Sequence, residues 1–116
     1  MRALSVIALA ATPALADPPL VESATARQTG TTWTISVTLS HPDTGWDHYA
    51  DGWRVEAPDG TELGFRELLH PHVNEQPFTR SLSGVTIPES LTEVRIRARC
   101  NLDGWSSTGF TLKLTD

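Results

Sequence analysis

The strongest constraint on the fold of this chain is a strict alternation of apolar and polar residues between Thr32 and Ser40. Apolar side chains stand at every second position, with Thr or Ser between them. They are Trp33, Ile35, Val37 and Leu39. Successive side chains of a β-strand point to opposite faces of the sheet, so this period of two predicts a strand with one buried face and one face in water.

Similar runs recur along the chain and predict an all-β fold. The predicted strands span 20–28, 32–40, 53–57, 63–69, 78–87, 94–100 and 110–115. The third and fourth are joined by the turn Pro58-Asp59-Gly60 and form a hairpin, and Gly84 marks a bulge in the fifth. About seven short antiparallel strands without a helical period are typical of an immunoglobulin or fibronectin III-like β-sandwich.

The N-terminus has the pattern of an export signal. Met1-Arg2 is a minimal positive start, residues 3–11 are an apolar run, and Ala14-Leu15-Ala16 is a small-x-small cleavage site. We therefore predict a cleaved signal peptide at 1–16 and a single mature domain at 17–116. The apolar run is too short to span a bilayer and no Cys follows the cut. A periplasmic or secreted protein without a membrane anchor is expected.

Charge excludes two classes of partner. The chain has 14 Asp and Glu against 9 Lys and Arg, for a net charge of -5, and loss of Arg2 with the signal peptide makes the mature domain more acidic still. Nucleic acids and anionic membranes are bound by clustered positive charge, so we expect neither as a partner. With Cys100 as its one cysteine, the chain forms no internal disulfide and must be stable from its core.

The long connections are predicted to lie at one end of the sandwich. Antiparallel strands reverse direction at each connection, so successive connections alternate between the two ends. The long ones, 40–52, 70–77 and 101–109, therefore share an end, and the opposite end has tight turns. Long loops on a rigid scaffold often carry binding residues, which makes this end the candidate site.

All four histidines lie in these loops, His41 and His48 in the first and His70 and His72 in the second. Neutral imidazole is the commonest protein ligand for zinc and copper, and Pro71 stiffens the spacing of the second pair. We predict a metal site with His70, His72 and His48 as the leading ligands and His41 as the fourth. Carboxylates of the same loops are predicted as hydrogen-bond acceptors for these rings or as extra ligands, and they are Asp43, Asp47, Asp51, Glu75 and Asp103. The alternative interpretation is four ordinary solvated side chains that come as two local pairs.

Copper is the first choice of metal and zinc the second, because copper binds nitrogen ligands most tightly among the divalent first-row ions. The single methionine, Met1, leaves with the signal peptide, so a thioether site is excluded. Cys100 offers a soft ligand at the start of the third loop. Its alternation with Ala98 and Ile96 points it inward, which favours a buried core residue instead. Storage, delivery or sensing of the metal, with a metal-handling protein as partner, is the predicted role.

Aromatic residues in the same loops suggest a different function. Trp46, Tyr49 and Trp105 would form a surface of rings for a sugar or a partner protein, in a metal-free binding or structural module. Their structural interpretation is that the two tryptophans pack the loops onto the sandwich. Trp53 alternates with Val55 and is expected in the core.

A row of like charges runs along the sixth predicted strand, at Arg95, Arg97 and Arg99. We expect a solvated face on which these arginines pair with acids of neighbouring strands such as Glu56 and Glu67.

Enzyme motifs are absent from the sequence. It contains no Gly-x-Ser-x-Gly, His-Glu-x-x-His, Cys-x-x-Cys, phosphate loop or dinucleotide fingerprint, so no catalytic residue is predicted. A small hydrolase or a metal-assisted oxidase is the third alternative, after metal binding and a metal-free binding module.

A resemblance adds to this interpretation. The stretch from His41 to Leu82 reads HPDTGWDHYADGWRVEAPDGTELGFRELLHPHVNEQPFTRSL and resembles small exported bacterial proteins of uncharacterised function. The resemblance implies export and an immunoglobulin-like sandwich, and it implies no activity.

Overall fold

A computed structural model describes residues 18–115, so the predicted signal peptide at 1–16 lies outside the described residues. Within 18–115 every regular element is a β-strand. The strands are β1 (Leu20–Thr29), β2 (Thr32–Ser40), β3 (Ala50–Glu56), β4 (Glu62–Glu67), β5 (Phe78–Val85), β6 (Glu93–Cys100), β7 (Gly104–Trp105) and β8 (Phe110–Lys113). This part of the chain has no helix of the length and apolarity needed to cross a membrane.

The strands form two antiparallel sheets. One has the order β1-β2-β5, and the other has the order β4-β3-β6 with both β7 and β8 paired to the far edge of β6. The chain changes sheet three times, between β2 and β3, between β4 and β5 and between β5 and β6. The predicted all-β class and sandwich arrangement are confirmed.

A short additional strand, β7, lies within the connection predicted at 101–109, which gives eight strands in the described range instead of about seven. β7 pairs with Arg99 and Cys100, β8 pairs with the first half of β6, and the Ser106 amide donates to the Ala98 carbonyl at 2.8 Å between them. The two strands thus follow one edge of β6. A two-residue strand is too short to show a period in the sequence.

The predicted bulge at Gly84 is confirmed. The pairing of β2 with β5 shifts register between Trp33 and Ile35, whose partners are Val85 and Leu82. Gly84 has a φ of 70°, a conformation that glycine adopts without steric cost.

The core lies between the sheets and is built by the alternation in β2. Its four apolar side chains are buried, and so are the inward-facing residues of β3 and β6 opposite them. The buried residues of these two strands include Trp53, Val55, Val94, Ile96 and Ala98. Trp53 is fully buried, as expected of a core tryptophan. The polar residues between the buried ones face outward. Each of these strands therefore has one face in the core and one face outside it, as the period of two predicts.

Strand register brings the long connections to one end. Leu39 at the end of β2 pairs with Phe78 at the start of β5, and Ala50 at the start of β3 pairs with Cys100 at the end of β6. The connection from β2 to β3, the connection from β4 to β5 and the turn after β6 therefore meet at this end, where both sheets terminate.

Candidate metal centre

Three potential metal ligands converge at the long-loop end. His41, His48 and Cys100 each offer one ligand atom, and these atoms lie within 4.8 Å of one another. His41 directly follows β2, His48 lies in the connection to β3, and Cys100 is the last residue of β6. Because β2 and β6 belong to different sheets, the group lies at the seam of the sandwich.

His41 is held in the orientation that a metal ligand needs. Its Nδ1 lies 2.6 Å from Oδ1 of Asp43, and both side chains are completely buried. The carboxylate can only accept, so Nδ1 is the donor, and in the neutral form of the ring Nε2 has the lone pair. Nε2 is buried and has no hydrogen-bond partner among residues 18–115. A histidine fixed by a carboxylate at one nitrogen and free at the other is the usual arrangement behind a protein-bound metal.

Asp43 links the two histidine-bearing loops. Besides His41, its carboxylate accepts from the Ala50 amide at 2.9 Å and from the His72 amide at 2.8 Å. Gln76 makes a second link, because it accepts from the His41 amide at 3.0 Å and donates to the His72 carbonyl at 2.9 Å. The His41 ring therefore rests on a network that fixes both loops.

The other two members of the group are in direct contact. Nε2 of His48 lies 3.6 Å from Sγ of Cys100, and the His48 ring meets the His41 ring edge-on with centroids 4.6 Å apart. Zinc bonds are about 2.0 Å to nitrogen and about 2.3 Å to sulfur, so a tetrahedral ion holds these two atoms about 3.5 Å apart. The observed separation fits an ion without rearrangement of this pair.

Asp103 lies beside the same pair. Its Oδ2 is 3.4 Å from Sγ of Cys100 and 3.9 Å from Nε2 of His48, and its amide donates to the sulfur at 3.3 Å. Burial raises the pKa of the Cys100 thiol, so the ion-free protein holds a neutral thiol at neutral pH. Metal binding requires the thiolate and would release that proton.

His70 and His72 form a separate pair, with ring centroids 4.6 Å apart. The His72 ring stacks on Phe78 at 3.8 Å, and its Nε2 lies 2.9 Å from a guanidinium nitrogen of Arg80. Burial, and next the positive charge of Arg80, lower the pKa of His72. His70 is exposed, and its Nδ1 lies 3.0 Å from the Pro71 carbonyl.

The structure thus divides the four predicted ligands. It brings His41 and His48 together with Cys100, whereas His70 and His72 stand outside this group. The sequence had two signals for Cys100, its inward alternation and its place at the start of a loop. Both hold, because Cys100 is fully buried and its sulfur still contacts His48.

The three predicted aromatic contacts also divide. Trp46 is 66% exposed and meets Tyr49 edge-on, with centroids 5.5 Å apart. Trp105 instead packs under the guanidinium groups of Arg54 and Arg99, at 4.2 and 5.2 Å from the ring centroid. Trp46 and Tyr49 therefore form an exposed pair, and Trp105 belongs to the arginine-bearing face of the larger sheet.

Two of the three arginines in the row on β6 pair with acids of β3. Arg97 Nε lies 3.0 Å from the buried Glu56 carboxylate, and Arg99 Nε lies 3.0 Å from Asp51. Pairing with Glu56 agrees with the sequence prediction, while Arg99 has Asp51 as its partner where an acid such as Glu67 was expected.

Comparison with known proteins gives one relative. No family model matches the chain, and no solved structure matches it significantly. The chain is 48% identical over 71 residues to a protein of Halomicrobium mukohataei named "Putative lipoprotein". The match covers 61% of this chain and 34% of that protein, so the chain spans about a third of its relative's length.

Proposed function

We propose that this protein is an exported β-sandwich domain that binds a transition metal through His41, His48 and Cys100, for storage, delivery or sensing. One observation carries the proposal: the buried Nε2 of His41 lacks a partner within residues 18–115, while Asp43 holds the other side of the ring. An unpaired buried polar atom costs about 1–3 kcal/mol, and a metal bond at Nε2 removes that cost.

Export to the periplasm or the cell exterior is part of the proposal. The predicted signal peptide at 1–16 supports it, as does the name of the Halomicrobium mukohataei relative, which contains the word lipoprotein.

Copper is the metal we propose first, with zinc second. Two imidazoles and one thiolate are the ligands of copper electron-transfer sites, and copper also leads the affinity order of the divalent first-row ions. Cys100 is fully buried, so a second protein thiol cannot reach it to form a disulfide when Cu(II) is present.

Titration of the protein lacking residues 1–16 with Cu(II) and Zn(II) tests the proposal. We expect one ion per chain at submicromolar Kd, an intense thiolate-to-copper charge-transfer band, and loss of both in His41→Ala and Cys100→Ser. His70→Ala is the matched control, because His70 is an exposed histidine of the neighbouring loop. It should leave binding unchanged.

The same titration distinguishes the two histidine pairs. Binding that survives His41→Ala but disappears in His70→Ala and His72→Ala would move the site to the pair in the second loop. Absence of saturable binding to the unmutated protein would overturn metal binding altogether.

A second candidate function rests on the exposure of Trp46. A tryptophan that is 66% exposed beside Tyr49 offers a ring surface to a sugar or a partner protein, in a metal-free binding module that could also use Trp105. A glycan array and a pull-down with purified Trp46→Ala and Trp105→Ala variants test this function. Ligands that are lost in Trp46→Ala would support it.

A further inference from the structure

The group of His41, His48 and Cys100 is open to solvent on one side. The His41 side chain and Cys100 have no exposed surface, whereas the His48 side chain is 20% exposed and that of Asp103 is 38% exposed. From this open side, Oδ2 of Asp103 lies 3.4 Å from Sγ of Cys100 and 3.9 Å from Nε2 of His48.

Three protein ligands leave one position of a tetrahedral ion vacant. A carboxylate oxygen bound at about 2.0–2.2 Å lies about 3.4–3.6 Å from the nitrogen and sulfur ligands of the same ion. Oδ2 of Asp103 already stands at 3.4 Å from the sulfur, and its 3.9 Å distance to Nε2 of His48 is about half an ångström too long. Asp103 is not among the three residues whose ligand atoms all lie within 4.8 Å of one another, so it must also move toward His41 when the ion binds. We propose that Asp103 is the fourth ligand of the centre and the one that exchanges when the ion enters or leaves. This inference rests on the proposed metal binding.

The turn after β6 places Asp103 beside Cys100. The Asp103 amide donates to the sulfur at 3.3 Å, which closes a tight turn over the end of the strand. Gly104 follows with a φ of 77° and leads the chain into β7. A side chain at this position would be strained, so glycine here fixes the direction from which Asp103 approaches.

The two aspartates of the centre have different roles. Asp43 is completely buried, accepts from two backbone amides and positions His41 from behind. Asp103 is partly exposed and faces the ligand atoms themselves. Carboxylate oxygen is a harder donor than thiolate or imidazole, so among the four ligands it is the one that a soft metal releases first. Exchange at Asp103 would open the solvent side while the buried ligands keep their places.

The test compares Asp103→Ala and Asp103→Asn with Asp47→Ala, an exposed acid of the neighbouring loop. The probes are Cu(II) and Co(II) alone, followed by electron paramagnetic resonance, by the visible spectrum of the bound ion and by its rate of transfer to a chelator. We expect both Asp103 variants to change the spectra, to weaken binding at least about tenfold, and to speed release. The Asp47 variant loses the same charge, and its affinity for each ion should stay within about twofold of that of the unmutated protein.

Three results would overturn the inference. Spectra of the Asp103 variants identical to those of the unmutated protein would leave a three-ligand centre without Asp103. Equal weakening in Asp47→Ala with unchanged spectra would reduce the role of Asp103 to charge attraction. Failure of the unmutated protein to bind either ion would remove both this inference and the proposed function. Unfolding midpoints of the ion-free variants check that each one folds.

Discussion

At the scale of single residues, Asp43 connects the stability of the loops to the candidate chemistry. Its two oxygens accept three hydrogen bonds, from the His41 ring and from the amides of Ala50 and His72. Three hydrogen bonds offset the cost of burying the Asp43 carboxylate completely. The same bonds fix the positions of the three donor groups. The place of Asp43 in the first long loop, two residues after His41, predicts an acceptor for a histidine ring, but not the bonds to the Ala50 and His72 amides.

We expect Asp43→Asn to damage both properties. The amide group turns one acceptor oxygen into a donor that faces another donor, so the free energy of unfolding should fall by about 1–3 kcal/mol. Metal affinity should fall by about 10–100-fold, because the His41 ring loses the partner that orients it. Chemical denaturation and metal titration measure the two effects. Asp47→Asn is the control at an exposed position. If Asp43→Asn lowered the free energy of unfolding but left metal affinity unchanged, Asp43 would have a structural role and no role in metal binding.

His72 predicts a pH dependence of stability. Burial, followed by the charges of Arg80 and His70, lowers its pKa, while Glu75 and Asp43 oppose the shift to a smaller degree. The unfolded chain therefore takes up a proton at a higher pH than the folded protein does. The neutral His72 ring therefore contributes to the free energy of unfolding above about pH 6.5, and this contribution is lost as the pH falls through the lower pKa of the folded state. The free energy of unfolding falls by no more than about 1.4 kcal/mol per pH unit in this range.

Denaturation of the ion-free protein between pH 7 and pH 5 measures this slope. His72→Gln should flatten it, because glutamine keeps an acceptor for Arg80 and does not titrate in this range. His70→Gln, at an exposed position, should leave most of the slope in place. An equal slope in the His72 variant would assign the pH dependence to other groups.

At the scale of elements, the hairpin of β3 and β4 depends on close approach at Gly52. A Cβ built on Gly52 would lie 2.8 and 2.9 Å from two carbons of the Phe65 ring and 3.3 Å from the Arg66 carbonyl oxygen. Gly52 pairs with Glu67 in the hairpin and with Arg99 of β6. The absence of a side chain therefore lets the Phe65 ring lie over the backbone of β3.

Gly52→Ala should lower the free energy of unfolding by about 1 kcal/mol, because the Phe65 ring has to swing out and the carbonyl contact is tight. In a Phe65→Ala background the same change should cost less, since only the carbonyl contact remains. Gly109→Ala is the matched control, because its nearest atoms would be at 3.5 Å. Equal losses from Gly52→Ala with and without Phe65 would show that the ring is not the cause.

The elements also show what the sequence could and could not predict. Alternation identified β2 and β6 well, because each has one face in the core and one outside, and register carries that pattern across the sheet. It did not identify β7, whose two residues depend on the edge of β6 for their hydrogen bonds. The candidate metal centre could also be predicted only in part.

Loop positions suggested His41 and His48 as ligands. Their grouping with Cys100 depends on contacts between the two sheets, which a local sequence pattern does not show.

At the scale of the whole molecule, the candidate centre joins the two sheets. His41 follows β2 of the three-stranded sheet, and Cys100 ends β6 of the five-stranded sheet. A bound ion would therefore link the sheets at the long-loop end, where the strands stop and loops alone cover the core. Because the unfolded chain cannot hold these ligands together, binding should stabilise the whole fold.

We expect a saturating metal to raise the unfolding temperature. At a free ion concentration of 100 times Kd the gain is about 2.7 kcal/mol, and in a domain of this size each kcal/mol raises Tm by about 4–8 °C, so the total is roughly 10–20 °C. Scanning calorimetry with and without Cu(II) or Zn(II) measures the difference for each variant against its own ion-free form. That comparison removes any direct effect of the substitution on the core. The shift should disappear in Cys100→Ser and persist in His70→Ala, and an equal shift in Cys100→Ser would place the bound ion away from the seam.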